Sequence, residues 1–180
     1  TEFDERIYVA LMAVTQGQGF ADRKVPFSVY RLLKIMGEST DNRHYHSVER
    51  SLERLMRASI VAEGAFWDHE KRELVGMISG FHLIDRFWLA YKEKDRRVVE
   101  REGTPGYIVW GEELWRSFRA GYLKELNLEL FFSLASPVAR RLYRFLSKKL
   151  HRRERYEIDI FQLAEQLGMA HYRYPATVLG

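Results

Sequence analysis

The chain has 180 residues, of which 46% are hydrophobic, 14% aromatic and 30% charged, and it contains no cysteine. That balance belongs to a folded chain, and the length suits one large domain or two small ones. Without cysteine, disulfides and thiolate metal sites are excluded and a reducing cytoplasm is permitted. No apolar run reaches the roughly 18 residues of a membrane span, and nothing at the start has a signal-peptide pattern. The net charge of +4 and an isoelectric point near 9.3 fit an anionic partner. The chain opens at Thr1 without methionine and stops at Val178-Leu179-Gly180 without a final element, which reads as a piece of a longer protein.

A first helix is predicted from about Asp4 to Thr15, with Ile7, Val9, Ala10, Leu11 and Val14 inward and Gly17 and Gly19 breaking the pattern. Pro26 begins a second helical segment, Phe27 to Met36, whose Val29, Leu32, Leu33 and Met36 share a face and which ends at Gly37. Glu38 to Asn42 form a polar turn rich in capping residues. A third helix runs from about Arg43 to Ala58. Val48, Leu52, Leu55, Met56 and Ser59 fall within about 100° of one another on the helical wheel and form its core face. Arg43, His46, Ser47, Arg50, Arg54 and Arg57 take the opposite side, with Glu49 and Glu53 on one flank at pairing distance.

Ile60 to Trp67 and Glu73 to Ile84 have the content of two strands around the charged turn Asp68 to Arg72, which predicts a β-hairpin with Lys71 and Arg72 at its tip. Helix, helix, turn, helix and hairpin is the order of a winged helix-turn-helix. In that fold the helix after the turn enters the major groove and the hairpin tip reaches the adjacent backbone. Lys92 to Glu102 is a charge run followed by Gly103-Thr104-Pro105-Gly106, the composition of a linker. The expected domains are therefore 1–100 and 104–180.

Past the linker, Tyr107 to Trp110 is strand-like, and Glu112 to Arg119 is a short helix with Leu114, Trp115 and Phe118 inward. Leu123 to Leu134 reads as extended, because Leu126, Leu128 and Leu130 alternate. Ser136 and Pro137 then start a helix whose Val138, Leu142, Phe145, Leu146 and Leu150 define one buried side. Between Ser136 and Arg155, eight basic residues face the single acid Glu154, a local charge of +7 in a chain of +4, so the remainder carries −3. A solvated helix face ordinarily mixes the two signs; one sign alone is how a protein meets a polyanion. A short strand around Tyr156 to Ile158 and a helix from Asp159 to Leu167 follow, with Phe161, Leu163, Ala164 and Leu167 for burial and Gly168 at the end. The polar turn Ala170 to Tyr174 and then Pro175 would open another helix, where a second recognition helix is expected. The fold class is α+β: tandem winged helix-turn-helix domains, the second incomplete at its C-terminus.

The segment Phe131-Phe132-Ser133-Leu134-Ala135-Ser136-Pro137-Val138-Ala139-Arg140-Arg141-Leu142-Tyr143-Arg144-Phe145-Leu146 resembles bacterial plasmid replication initiators of the replication initiator protein A type. Tyr156-Glu157-Ile158-Asp159, Leu163 to Met169 and Trp110 to Gly121-Tyr122 are similar to flanking blocks of that family. The resemblance covers Tyr107 to Met169 well and the first hundred residues loosely. It implies two winged helices that recognise repeated duplex sites in a replication origin, oligomerisation as part of control, and a cytoplasmic, DNA-associated protein. Homodimerisation and host replication proteins are the further partners it suggests, with no membrane.

For Arg140, Arg141, Arg144, Lys148 and Lys149 phosphate contact is the expected role, since in this family the helix is not the recognition helix and phosphate contacts position without specifying. Arg50 and Arg54 are placed for base edges, because arginine suits guanine in the major groove. Trp67, Phe81, Phe87, Trp88, Trp110, Trp115, Phe131 and Phe132 are read as core or domain-interface residues. His44-Tyr45-His46 suggests a nuclease metal pair, but on a helix the two histidines lie about 200° apart. No metal, cofactor or catalytic residue is expected: there is no phosphate-binding loop, no nucleophile elbow and no clustered carboxylates. The chain is read as non-enzymatic. The alternatives are a winged-helix transcriptional regulator and a dimerisation or recruitment module of a replication protein.

Overall fold

The computed structural model describes residues 1–63, 67–68, 73–74, 78–92, 97–98, 106–121, 126–150 and 153–169. The chain divides into two units, Thr1–Leu123 and Lys124–Gly180. The first opens with α1 (Glu2–Gly17), where the Thr1 hydroxyl accepts from the Asp4 N–H and the Asp4 carboxylate reaches back to the Thr1 backbone. That exchange satisfies two donors the helix itself leaves open. Ile7, Ala10, Leu11 and Val14 are fully buried, at the spacing expected of one inward stripe.

β1 (Lys24–Phe27) precedes α2 (Val29–Met36) and α3 (Asn42–Arg57), and α1 packs on both helices. Gly37 ends α2 at φ 69°, a backbone conformation that glycine adopts without strain. Asp41 caps α3 by accepting from the His44 N–H. Val48, Leu52 and Leu55 are buried, with Ser51 among them, as are Leu33 and Met36 of α2.

After α3 the chain forms β2 (Ser59–Glu63), β3 (Trp67–Asp68), β4 (Glu73–Leu74), β5 (Ile78–His82), β6 (Ile84–Trp88), β7 (Tyr91–Lys92), β8 (Arg97–Val98) and β9 (Gly106–Trp110), and then α4 (Glu112–Arg119). β2 pairs antiparallel with β5 and β3 with β4, so the predicted hairpin is present with each arm in two pieces. β7 pairs with β8. β9 lies between β1 and β6, antiparallel to both. Burial alternates along this sheet: Val25, Phe27, Ile84, Ile108 and Trp110 face the core, while Lys24, Pro26, Arg86, Trp88, Tyr107 and Val109 form the outer face. At the exit from β9 a Cβ on Gly111 would stand 1.9 Å from the His82 carbonyl oxygen. Only glycine lets the two backbones pass there.

The second unit contains α5 (Leu128–Ser133), α6 (Pro137–Lys149) and α7 (Ile160–Gln166), and Val138, Leu142 and Phe145 of α6 and Leu163 of α7 pack against Ala164, Leu167 and Met169. The Tyr143 hydroxyl accepts from the Asn127 N–H at 3.0 Å, tying the start of α5 to α6. Gly168 closes α7 at φ 69°, with the Met169 N–H on the Ala164 carbonyl at 2.7 Å.

Several expectations change. Pro26 does not begin a helix: it sits in β1 at the sheet edge, where its missing N–H costs nothing, and Ser28 caps α2 instead. Leu123 to Leu134 is not extended throughout, because Asn127 accepts from the Leu130 N–H and starts α5, burying Phe131. Tyr156 to Ile158 pairs with no strand among the described residues; Tyr156 packs edge-on against Phe145 instead. Ser59 lies in β2 and is exposed rather than on the α3 core face, and Phe161 is 66% exposed rather than buried. Trp88, expected in the core or at a domain interface, is not in the core but on the outer sheet face. A boundary at residues 100–104 would sever β9 from β1 and β6, whereas the division falls after Leu123. The turn Asp68 to Arg72 except Asp68, most of the Lys92 to Pro105 segment and Ala170 to Gly180 lie outside the described residues.

Candidate nucleic-acid interface

In the first unit the turn between α2 and α3 is held at both ends. The Arg6 guanidinium on α1 pairs with Glu38 and donates to the Met36 carbonyl at 2.7 Å. The other Glu38 oxygen lies 3.3 Å from His44 Nε2, and His44 Nδ1 is 2.8 Å from Asp41 Oδ1. The Asp41 carboxyl is lowered to about 2 by the His44 backbone N–H and then by its imidazole. His44 is thus absorbed by the turn, and α3 leaves it in a fixed direction.

Along α3, Arg43, Arg50, Arg54 and Arg57 are exposed, and His46 and Ser47 are half-buried between them. Ser47 Oγ donates to the Arg43 carbonyl at 3.0 Å, and Arg50 Nε donates to the His46 carbonyl at 3.3 Å. His46 Nδ1 lies 3.4 Å from Glu49, and Arg57 reaches Glu53 at 3.5 Å with 73% of its own side chain in solvent. Such exposed pairs hold loosely, about 0–1 kcal/mol, and leave the cation available.

Arg54 is different. Its Nη2 and Nε donate to Asp4 at 2.6 and 2.9 Å, and the Ser51 hydroxyl donates to the same carboxylate at 2.7 Å. Burial alone would raise Asp4, but hydrogen bonds from Arg54, the Thr1 amino group, Ser51 and Thr1 outweigh it and hold the carboxyl well below the usual range. The same contact raises the Arg54 guanidinium. Arg54 therefore joins α3 to α1, and the outward cations of α3 are Arg43, Arg50 and Arg57. Two cations that sequence reasoning missed stand on α2: Arg31 and Lys34 are exposed, with Lys34 Nζ 5.5 Å from the Tyr30 ring centroid. The spacing of Val29, Leu32, Leu33 and Met36, which puts Tyr30, Arg31 and Lys34 on the opposite side, was the available signal.

In the second unit the basic residues of α6 separate into two kinds. Arg140 is 2% exposed and donates to the Leu134 carbonyl, and burial lowers its guanidinium. It anchors the loop before α6 and cannot reach a phosphate. Lys149 is half-buried, with Nζ 5.3 Å from the Tyr156 centroid and 5.6 Å from that of Phe145. Arg141 donates to the Leu167 carbonyl at 3.1 Å, closing α7, while remaining exposed. Arg144 and Lys148 are exposed. Arg141, Arg144 and Lys148 are one turn apart and form the solvent-facing cationic row. Lys71 and Arg72 lie outside the described residues.

Among the described residues no group of histidine and carboxylate side chains could hold a metal ion, and no helix is long and apolar enough to cross a membrane. The chain is similar to two crystal structures of domains 2 and 3 of RctB. One, a selenomethionine derivative, matches at TM-score 0.69 and 16% identity over 99% of this chain and 66% of that one. The other matches at TM-score 0.58 and 18% identity over 98% of this chain and 65% of that one. At these identities the likeness bears on the fold, and the chain spans about two thirds of each structure. No match is found among curated proteins. The family model of replication initiator protein A matches residues 1–178, and the chain belongs to that family.

Proposed function

We propose that the chain initiates replication of a plasmid by binding repeated duplex sites in its origin, without enzymatic activity, as a cytoplasmic protein associated with DNA. In this reading the chain carries tandem winged helix-turn-helix domains, with α3 as the recognition helix of the first. The observation that carries it is α3, a helix with an outward arginine row that enters from a turn clamped to α1, in a chain of the initiator family. A helix so presented fits the major groove, with α2 and its Arg31 and Lys34 across the adjacent backbone. Arg43, Arg50 and Arg57 then face the DNA, and Arg50, at the centre of the row, is assigned to a base edge. On α6, Arg141, Arg144 and Lys148 are assigned to phosphates, which fix register without reading sequence. Homodimerisation and recruitment of host replication proteins belong to the same proposal, in keeping with binding to repeats.

Substitution of Arg50 tests the assignment. Arg50→Ala is expected to lose about 1–3 kcal/mol on an origin repeat and far less on scrambled duplex. An equal loss on both would move Arg50 to the phosphates, and no loss on either would remove α3 from the interface.

A further inference from the structure

We infer that the outer face of the three-stranded sheet in the first unit is a stacking surface for single-stranded nucleic acid. Strand register places Pro26, Tyr107 and Trp88 in one row across β1, β9 and β6, and Lys24, Val109 and Arg86 in the next. The Trp88 and Tyr107 rings lie within 15° of parallel with centroids 6.1 Å apart. Lys24 Nζ stands 4.3 Å from the Tyr107 centroid, and Trp88 is 45% exposed. Tyr107 is thus fixed between a cation and the indole, and the indole presents its area to water.

The chemistry of the row selects the occupant. Aromatic stacking accepts any base, because every base has a π face, while cations beside the ring take the phosphates. Lys24 and Arg86 are exposed and flank the aromatic row. Nearby, Arg23 lies 3.4 Å from both Asp85 and Glu112, and Asp22 accepts from the Lys24 backbone N–H at 2.9 Å. Lys24 and Arg86 therefore stand directly beside a planar apolar surface. In an intact duplex the base faces are covered by their neighbours, so a ring on a sheet reaches them only in an unpaired strand. This surface is distinct from α3 and α6, and its ligand is distinct from duplex DNA.

Binding of the full chain to fluorescein-labelled oligothymidylate of about 12 nucleotides, within the usual span of such sites, is read by anisotropy, with duplex DNA in parallel. Trp88→Ala is expected to weaken oligothymidylate binding about 5- to 150-fold, the loss of one stacked base, and to leave duplex affinity unchanged. Trp88→Phe restores most of the affinity, and Lys24→Glu with Arg86→Glu weakens it and flattens its salt dependence. Thermal unfolding of each variant verifies the fold; if Trp88→Ala has no transition, the charge pair and Trp88→Phe decide. No binding by the unsubstituted chain, or equal affinity after the substitutions, overturns the inference. A sedimentation result in which Trp88→Ala turns a dimer into a monomer with oligothymidylate affinity intact also overturns it, since a second copy then covers the face. Failure of duplex binding alone leaves the oligothymidylate arms readable, so the two readings fail separately.

Discussion

The indole N–H of Trp110 donates to the hydroxyl of Thr15 at 3.0 Å in the core of the first unit, joining α1 to a strand 95 residues later. The Thr15 hydroxyl in turn donates a hydrogen bond to the Leu11 carbonyl at 2.8 Å, so both polar groups are satisfied in the buried interior. Trp110 is fully buried and meets Tyr8 and Phe118 edge-on. β9 is therefore the centre of the first unit and not the opening of the second. Thr15→Val strands the indole donor and is expected to cost about 1–3 kcal/mol. A fragment of residues 1–123 should unfold cooperatively, whereas one of residues 1–104 should not; calorimetry of the two fragments checks this.

The Asp4 carboxylate contributes to stability in a pH-dependent way. Its folded value lies below the ordinary 3.8, so its contribution is fully present above about pH 4 and is lost as the pH falls through the folded value. Asp4→Asn should lower stability at neutral pH by about 1–2 kcal/mol, since Arg54 is 45% exposed and keeps solvent contact after the loss. Its denaturation midpoint should also fall less steeply below pH 4 than that of the unsubstituted chain. Equal acid limbs would contradict the assignment.

Gly111 is required for shape rather than for φ. The methyl of Gly111→Ala would meet the His82 carbonyl oxygen at 1.9 Å, a backbone atom that cannot swing aside. A loss of about 3 kcal/mol or more is expected, in the upper range for overpacking. Urea unfolding with an unchanged slope and an unchanged midpoint would show that the β5–β6 junction yields.

The two kinds of cation on α6 should separate experimentally. Arg140→Ala removes a buried donor from the Leu134 carbonyl and is expected to destabilise the second unit by about 1–3 kcal/mol. Arg144→Ala and Lys148→Ala should change stability by less than about 0.5 kcal/mol and reduce the salt slope of duplex binding by about one each. Thermal unfolding with binding at three salt concentrations distinguishes them; a slope that responds to Arg140 alone would reverse the assignment.

Helices were legible where one periodicity and a cap agreed. Val48, Leu52 and Leu55 with Asp41 before them, and Val138, Leu142 and Phe145 with Ser136 before them, are found in the elements their spacing predicts. Strand partners were not legible, because pairing is non-local: nothing around Tyr107 says that Pro26 and Trp88 lie on either side. For the same reason the sequence around Trp88 does not separate a core position from a place on the outer sheet face. The alternation of Leu126, Leu128 and Leu130 misled because Asn127 supplies a cap that favours a helix, leaving Leu130 at 42% exposure. The candidate site was legible in charge and hidden in partners. Arg54 and Arg140 share composition and spacing with their neighbours, and only Asp4 and the Leu134 carbonyl, brought near by the fold, take them out of the interface.

The most direct test titrates the chain against duplex carrying origin repeats and against scrambled duplex at two salt concentrations. Tighter binding to the repeats by a factor of about a thousand or more, surviving at the higher salt, is the predicted result. Weak, equal and steeply salt-dependent binding to both would contradict sequence recognition by α3 and reduce the basic helices to backbone anchors.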